Sequence, residues 1–189
     1  MKHIITKKKL IITTIVAFII VLLIVIIGVY YTNRQAREWI DKNIFRKEVL
    51  QDNVTTIDLS GFNTSNVTNM ESMFYYAKSF NQPLNGWNTA KAELMYEMFY
   101  RAEKFNQPLN DWDTSNVKDM DRMFACAEKF NQPLNSWNTA NVRDMSYMFS
   151  GSKSFNQPLN SWNTANVTNM EYMFKDAKAF NQSLEKWDV

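Results

Sequence analysis

The sequence predicts an α/β repeat solenoid, with one short parallel strand and one helix in each 25-residue unit, preceded by one transmembrane helix. Three observations carry this. Residues 10–31 hold no charged side chain, Phe and Trp each recur every 25 residues from Phe80 and Trp87 onward, and two different apolar spacings alternate inside every unit.

The first element is the apolar run. Its 22 residues are dominated by Ile, Val and Leu, and as a helix rising about 1.5 Å per residue they would extend roughly 33 Å, enough to cross a hydrocarbon core. A cleaved signal peptide has a shorter apolar region ending in small residues at a cut site, which Gly28-Val29-Tyr30-Tyr31 does not offer. Tyr30 and Tyr31 suit the headgroup layer, where a ring packs among lipids and its hydroxyl meets water. Lys7, Lys8 and Lys9 precede the run, and clustered positive charge stays on the cytoplasmic side. The expected organisation is a cytoplasmic basic tail (1–9), a signal anchor (10–31), a juxtamembrane helix and cap (32–56), and five repeats plus a partial sixth (57–189). Ala36, Trp39, Ile40, Ile44, Val49 and Leu50 give the juxtamembrane helix its rough periodicity.

Inside a unit, Met170, Met173, Phe174, Ala177 and Phe180 fall at i, i+3, i+4, i+7 and i+10, the spacing of one helical face. Upstream, Ile57 and Leu59 alternate with Asp58 and Ser60 as in a strand, and Leu84, Leu109, Leu134, Leu159 and Leu184 take the place of Leu59. Thr164, Asn166 and Thr168 are placed to cap the helix, and Asn-Gln-Pro ends it. Pro83, Pro108, Pro133 and Pro158 lack an N–H, which confines them to an edge or the first residue of a strand. One unit cannot bury its Leu, Trp, Met and Phe alone, so stacked copies must bring like side chains over like.

Composition excludes several functions. The net charge of +2 divides into nine Lys/Arg against four Asp/Glu in residues 1–56 and twelve against fifteen thereafter. A mildly acidic repeat region of interleaved sign is no nucleic-acid surface. Cys126 is the single cysteine, so neither a disulfide framework nor a lipid-carrying Cys after the apolar run exists. His3 is the single histidine and no Gly-rich phosphate loop is present, so no catalytic residues and no cofactor are expected. Asp111, Asp113, Asp119 and Asp121 crowd the third unit, but without EF-hand spacing they read as a solvated face and no metal is expected.

The unit, Phe-Asn-Gln-Pro-Leu-Asn-x-Trp-Asn-Thr-x-Asn-Val-x-x-Met-x-x-Met-Phe, resembles the repeat of BspA-like bacterial leucine-rich-repeat surface proteins. The likeness covers residues 57–189, and four copies match almost throughout. The second departs with Lys91-Ala92-Glu93-Leu94, which predicts a remodelled turn. The resemblance implies a parallel leucine-rich-repeat-like solenoid, display on the bacterial surface, and adhesion or protein binding. It carries over no catalytic residue.

The Asn ladders (Asn81, Asn106, Asn131, Asn156, Asn181 and Asn88, Asn138, Asn163) are assigned to backbone groups at turns. The Trp and Met ladders are assigned to the core, with Trp187 as the possible exception. A binding surface should use positions that vary while the core stays fixed. On the helices these are Tyr75, Tyr76, Tyr96, Tyr100, Arg101, Arg122, Tyr147, Tyr172 and Lys175, and on the strand side Asn85, Asn110, Asn135 and Asn160. Tyr and Arg are frequent interface anchors. The expected protein is therefore single-pass in the cell membrane, N-terminus cytoplasmic and repeats extracellular, binding an extracellular or host protein. The alternative is an envelope structural protein that self-associates through the end of the solenoid, where the chain stops in mid-unit at Trp187-Asp188-Val189.

Overall fold

The computed structural model describes Leu59 and residues 63–187. The chain divides into two units, Met1–Ile44 and Phe45–Val189, and all the described residues lie in the second. The basic tail, the anchor at 10–31 and the juxtamembrane helix at 32–56 fall outside them.

The period of 25 residues is realised as a stack of coils. Each coil contributes one residue to a continuous parallel row, Asn69, Leu94, Asp119, Asp144 and Asn169. After the row comes a run of tight turns (71–76 in the first coil), then turns at 78–79 and 85–86, before the chain re-enters the row one coil on.

Two features correct the expected α/β architecture. First, the described residues contain no helix, and none of them forms a helix long and apolar enough to cross a membrane. Where the apolar spacing calls for a helix, alternate N–H groups point to different partners. Met70, Ser72, Phe74 and Tyr76 donate to the carbonyls of Leu94, Tyr96, Met98 and Tyr100 in the next coil, while Tyr75 and Ala77 donate three residues back, to Ser72 and Phe74. Ser72 (φ 55°) and Tyr76 (φ 60°) are left-handed, incompatible with the φ near −63° of an α-helix. Spacing is the physical reason. Backbone bonds between coils hold them one strand spacing apart, roughly 4.8 Å, whereas packed helices need about 8–10 Å between axes. The ring columns follow the short spacing: Phe99 and Phe124 lie 5.5 Å apart and Trp112 and Trp137 6.4 Å apart. Steps of three and four residues thus come from a succession of turns that bury the same face a helix would have buried.

Second, the parallel pairing is not at the Leu positions. It sits ten residues on, at Leu94 rather than Leu84, and is one residue long in each coil. Around Pro83, Pro108, Pro133 and Pro158 the coils are joined by side chains instead. Asn106 N–H donates to Asn81 Oδ1 at 2.9 Å, and the same bond recurs from Asn131 to Asn106, Asn156 to Asn131 and Asn181 to Asn156. Gln107 Nε2 reinforces it by donating to the Asn81 carbonyl. An amide ladder supplies the pairing that a proline-bearing segment cannot make with its backbone.

The core assignments hold. Phe74, Phe99, Phe124 and Phe149 are fully buried, as are Phe105, Phe130, Phe155, Leu84 and Met95. Within a coil the two Phe rings stack, Phe99 on Phe105 at 4.1 Å. Each Trp lies over its counterpart one coil away and donates its ring N–H to the Leu carbonyl 28 residues earlier, Trp137 to Leu109 at 2.9 Å. Trp187 is only partly buried against the same core. The Asn and Asp residues cap turns as expected: the N–H groups of Ser65, Ala90, Ser115, Ala140 and Ala165 donate to Asn63, Asn88, Asp113, Asn138 and Asn163. Thr64, Thr89, Thr114 and Thr139 are buried and donate their hydroxyls to a carbonyl of the next coil. The departure at 91–94 does not remodel its turn, because Ala92 N–H still reaches Thr89 O at 2.8 Å, as Val117 N–H reaches Thr114 O.

Candidate interaction face

Two backbone positions in every coil are left-handed. One is occupied by Ser72, Glu97, Arg122, Tyr147 and Tyr172, the other by Tyr76, Arg101, Cys126, Gly151 and Asp176. Nine of these ten residues are not glycine, although a Cβ in this conformation costs roughly 1 kcal/mol. None is β-branched, the class for which the conformation is hardest. Between them the buried Met and Phe point inward, so the left-handed residues other than the buried Ser72 lie on the outside of the turn run.

This geometry gathers most of the sequence-derived candidates. Tyr75 stacks on Tyr100 at 5.0 Å, and Tyr76 lies 5.5 Å from Tyr100. The Arg101 guanidinium sits over both Tyr76 (5.1 Å) and Tyr100 (5.8 Å). Further along the stack, Arg122 lies over Tyr147 at 4.9 Å, Tyr147 is 5.1 Å from Tyr172, and Lys175 lies over Tyr172 at 5.2 Å. Tyr172 is 50% exposed, the most open large apolar side chain among the described residues. The result is two clusters of rings and cations on one face. Tyr96 borders them: burial, then the charge and hydrogen bond of Glu97, push its hydroxyl up to about 12. Burial, followed by the charge of Glu97, also raises Tyr75. Both phenols therefore stay neutral donors at physiological pH. Asn85, Asn110, Asn135 and Asn160 are exposed on a separate turn and do not join this face.

Asp119 and Asp121, expected on a solvated face, are instead half-buried and buried, because the stacked coils pack over them. Asp121 is buried and ion-paired with Arg122, and Ser146 Oγ donates to it at 2.9 Å across the coils. Burial raises Asp119 and Asp121 above the usual carboxylate range, with repulsion from Asp144 adding to both. Ala125, Cys126, Ser150 and Gly151 form a low stretch between the clusters. Gly151 was the available signal, since a glycine in a variable register position marks a left-handed residue.

The residues on this face hold no recognisable catalytic set; what they present is aromatic area, fixed cations and hydrogen-bond donors. No curated protein and no solved structure matches the chain. A family model described as Mycoplasma protein of unknown function, DUF285, matches twice, over residues 42–147 and 108–189. The repeated coils and these matches, which together span residues 42–189, establish that the chain belongs to the DUF285 family, the family of BspA-like repeat proteins.

Proposed function

We propose that this chain is a bacterial surface protein, held to the membrane by its apolar segment at 10–31, whose solenoid binds another protein outside the cell. Its activity is recognition rather than catalysis. The observation that supports this most directly is the choice of side chains at the left-handed positions. Glycine would be the less strained residue there, and Gly151 is accommodated, yet Tyr and Arg are used repeatedly. Backbone strain kept at positions whose side chains look outward is characteristic of sites where those side chains act. Tyr and Arg supply large contact area with few rotatable bonds, which suits them to anchoring an interface. Because coils repeat along one axis, contacts to successive coils add, so affinity grows with the number of coils engaged.

A photoreactive amino acid placed at Tyr172, or separately at Asn110 on the other exposed turn, tests this in intact cells carrying the full chain with a C-terminal tag. With host-cell proteins added, adducts to a foreign protein should form from position 172 and not from 110, and external protease should remove the tag. Adducts from 110 alone, or a tag protected until lysis, would refute the reading. Adducts joining two copies of the chain would replace it with an envelope role based on self-association.

A further inference from the structure

Within the face, Arg101 is held by the rings of Tyr76 and Tyr100 and by a hydrogen bond to Tyr100, but by no carboxylate among the described residues. It occupies a left-handed position (φ 57°) at which other coils carry Tyr76, Cys126, Gly151 and Asp176. Its Nε is buried and has no hydrogen-bond partner among the described residues. A buried donor left unsatisfied is rare and calls for a specific cause. Arg122 is neutralised by Asp121, whereas Arg101 makes no ion pair among the described residues. Two tyrosine rings hold its planar guanidinium, so the loss of side-chain freedom on binding is already met. The next two coils place Ala125, Cys126, Ser150 and Gly151 at the neighbouring register positions, none of which carries a carboxylate.

We infer that Arg101 is the anchor of the face, and that the protein partner supplies a carboxylate to its guanidinium from an acidic or mixed-charge polypeptide segment. This rests on the binding role proposed above. A carboxylate matches the fork of a guanidinium and gains charge-assisted hydrogen bonds. The surrounding charges favour a polypeptide over a polyanion. Glu71, Glu97 and Glu171 lie in the same turn runs and would repel a sulfated glycan or a nucleic acid along its length. A polypeptide of mixed sign can place a carboxylate at Arg101 and cations near those glutamates.

The test uses the full chain in detergent micelles to select short peptides from a displayed random library, with a sulfated heparin-type glycan as a second probe. The selected peptides should be enriched in Asp and Glu. They should bind Arg101→Gln about ten-fold more weakly or worse, recover only part of that with Arg101→Lys, and bind Lys129→Gln as they bind the unaltered chain. Partial rescue by Lys, with an unchanged melting temperature in all three variants, separates loss of the guanidinium from loss of fold. Peptides that lose binding on Tyr172→Ala but show no acidic enrichment and ignore Arg101→Gln would overturn the carboxylate inference alone. Arg101-dependent binding of the glycan without acidic peptides would also overturn it. Peptides indifferent to every substitution on the face would overturn the binding role with it.

Discussion

Gly151 sits at φ 70°, with the place a Cβ would take 3.1 Å from Cys126 Sγ. An alanine there meets both the left-handed penalty and a close sulfur. Gly151→Ala should lower the unfolding free energy by about 1 kcal/mol, read by urea denaturation of the full chain. If Cys126→Ala removes the steric part, the double variant should recover a fraction of the loss; no loss in the single variant would contradict the assigned backbone. Asp119 illustrates a different cost. Its carboxyl is raised mainly by burial, then by Asp144 and Glu71, so the folded state holds its proton more tightly than the unfolded chain. The stability it contributes is therefore complete below the ordinary carboxylate value of about 3.9 and is lost as pH rises through the higher folded value. Asn69 and Asn169 occupy the same row and accept the same turn hydrogen bond, from Glu71 and Glu171. Asp119→Asn should consequently be more stable than the unaltered chain at neutral pH, with the difference vanishing below about pH 4. A melting-temperature series against pH checks the sign, and an advantage that grew on acidification would refute it.

At the scale of the element, the Asn-Gln-Pro segment is the clearest case of a side chain replacing a backbone ladder. Asn131 Oδ1 accepts the Asn156 N–H at 2.9 Å and Gln157 Nε2 at 3.1 Å. Asn131→Ala leaves both donors without that acceptor and should cost about 1–3 kcal/mol. Asn131→Asp keeps the oxygen and should stay near the unaltered stability in the same thermal melt; equal losses in the two variants would mean the ladder is not the source. The structural role of these asparagines was legible in the sequence, because an amide repeated at one register beside a proline has few other uses. The turn run was not. Met170, Met173, Phe174, Ala177 and Phe180 have helical spacing, and their counterparts in the inner coils are buried together, yet the run is no helix. A helical segment of so few residues is marginal by itself, and here the neighbouring coil accepts the N–H groups an α-helix would have used.

For the molecule as a whole, the buried apolar columns contribute far more stability than the surface charges. Each fully buried Phe or Trp is worth roughly 1.5–3 kcal/mol. Pairs such as Lys78 with Glu103 and Lys153 with Glu128 are largely exposed, and exposed pairs give about 1 kcal/mol at most. The sequence by itself determined the period, the set of buried residues, the amide and aromatic ladders, and the outward residues from which the face is built. It did so because stacking places each residue over its equivalent 25 positions away, whatever the local backbone. Only the tertiary structure decided that the backbone is a chain of turns with two left-handed residues per coil, and that Tyr75, Tyr76, Tyr100 and Arg101 converge. Both follow from the short spacing between coils, which lets each coil satisfy its neighbour's N–H groups and leaves no room for a helix.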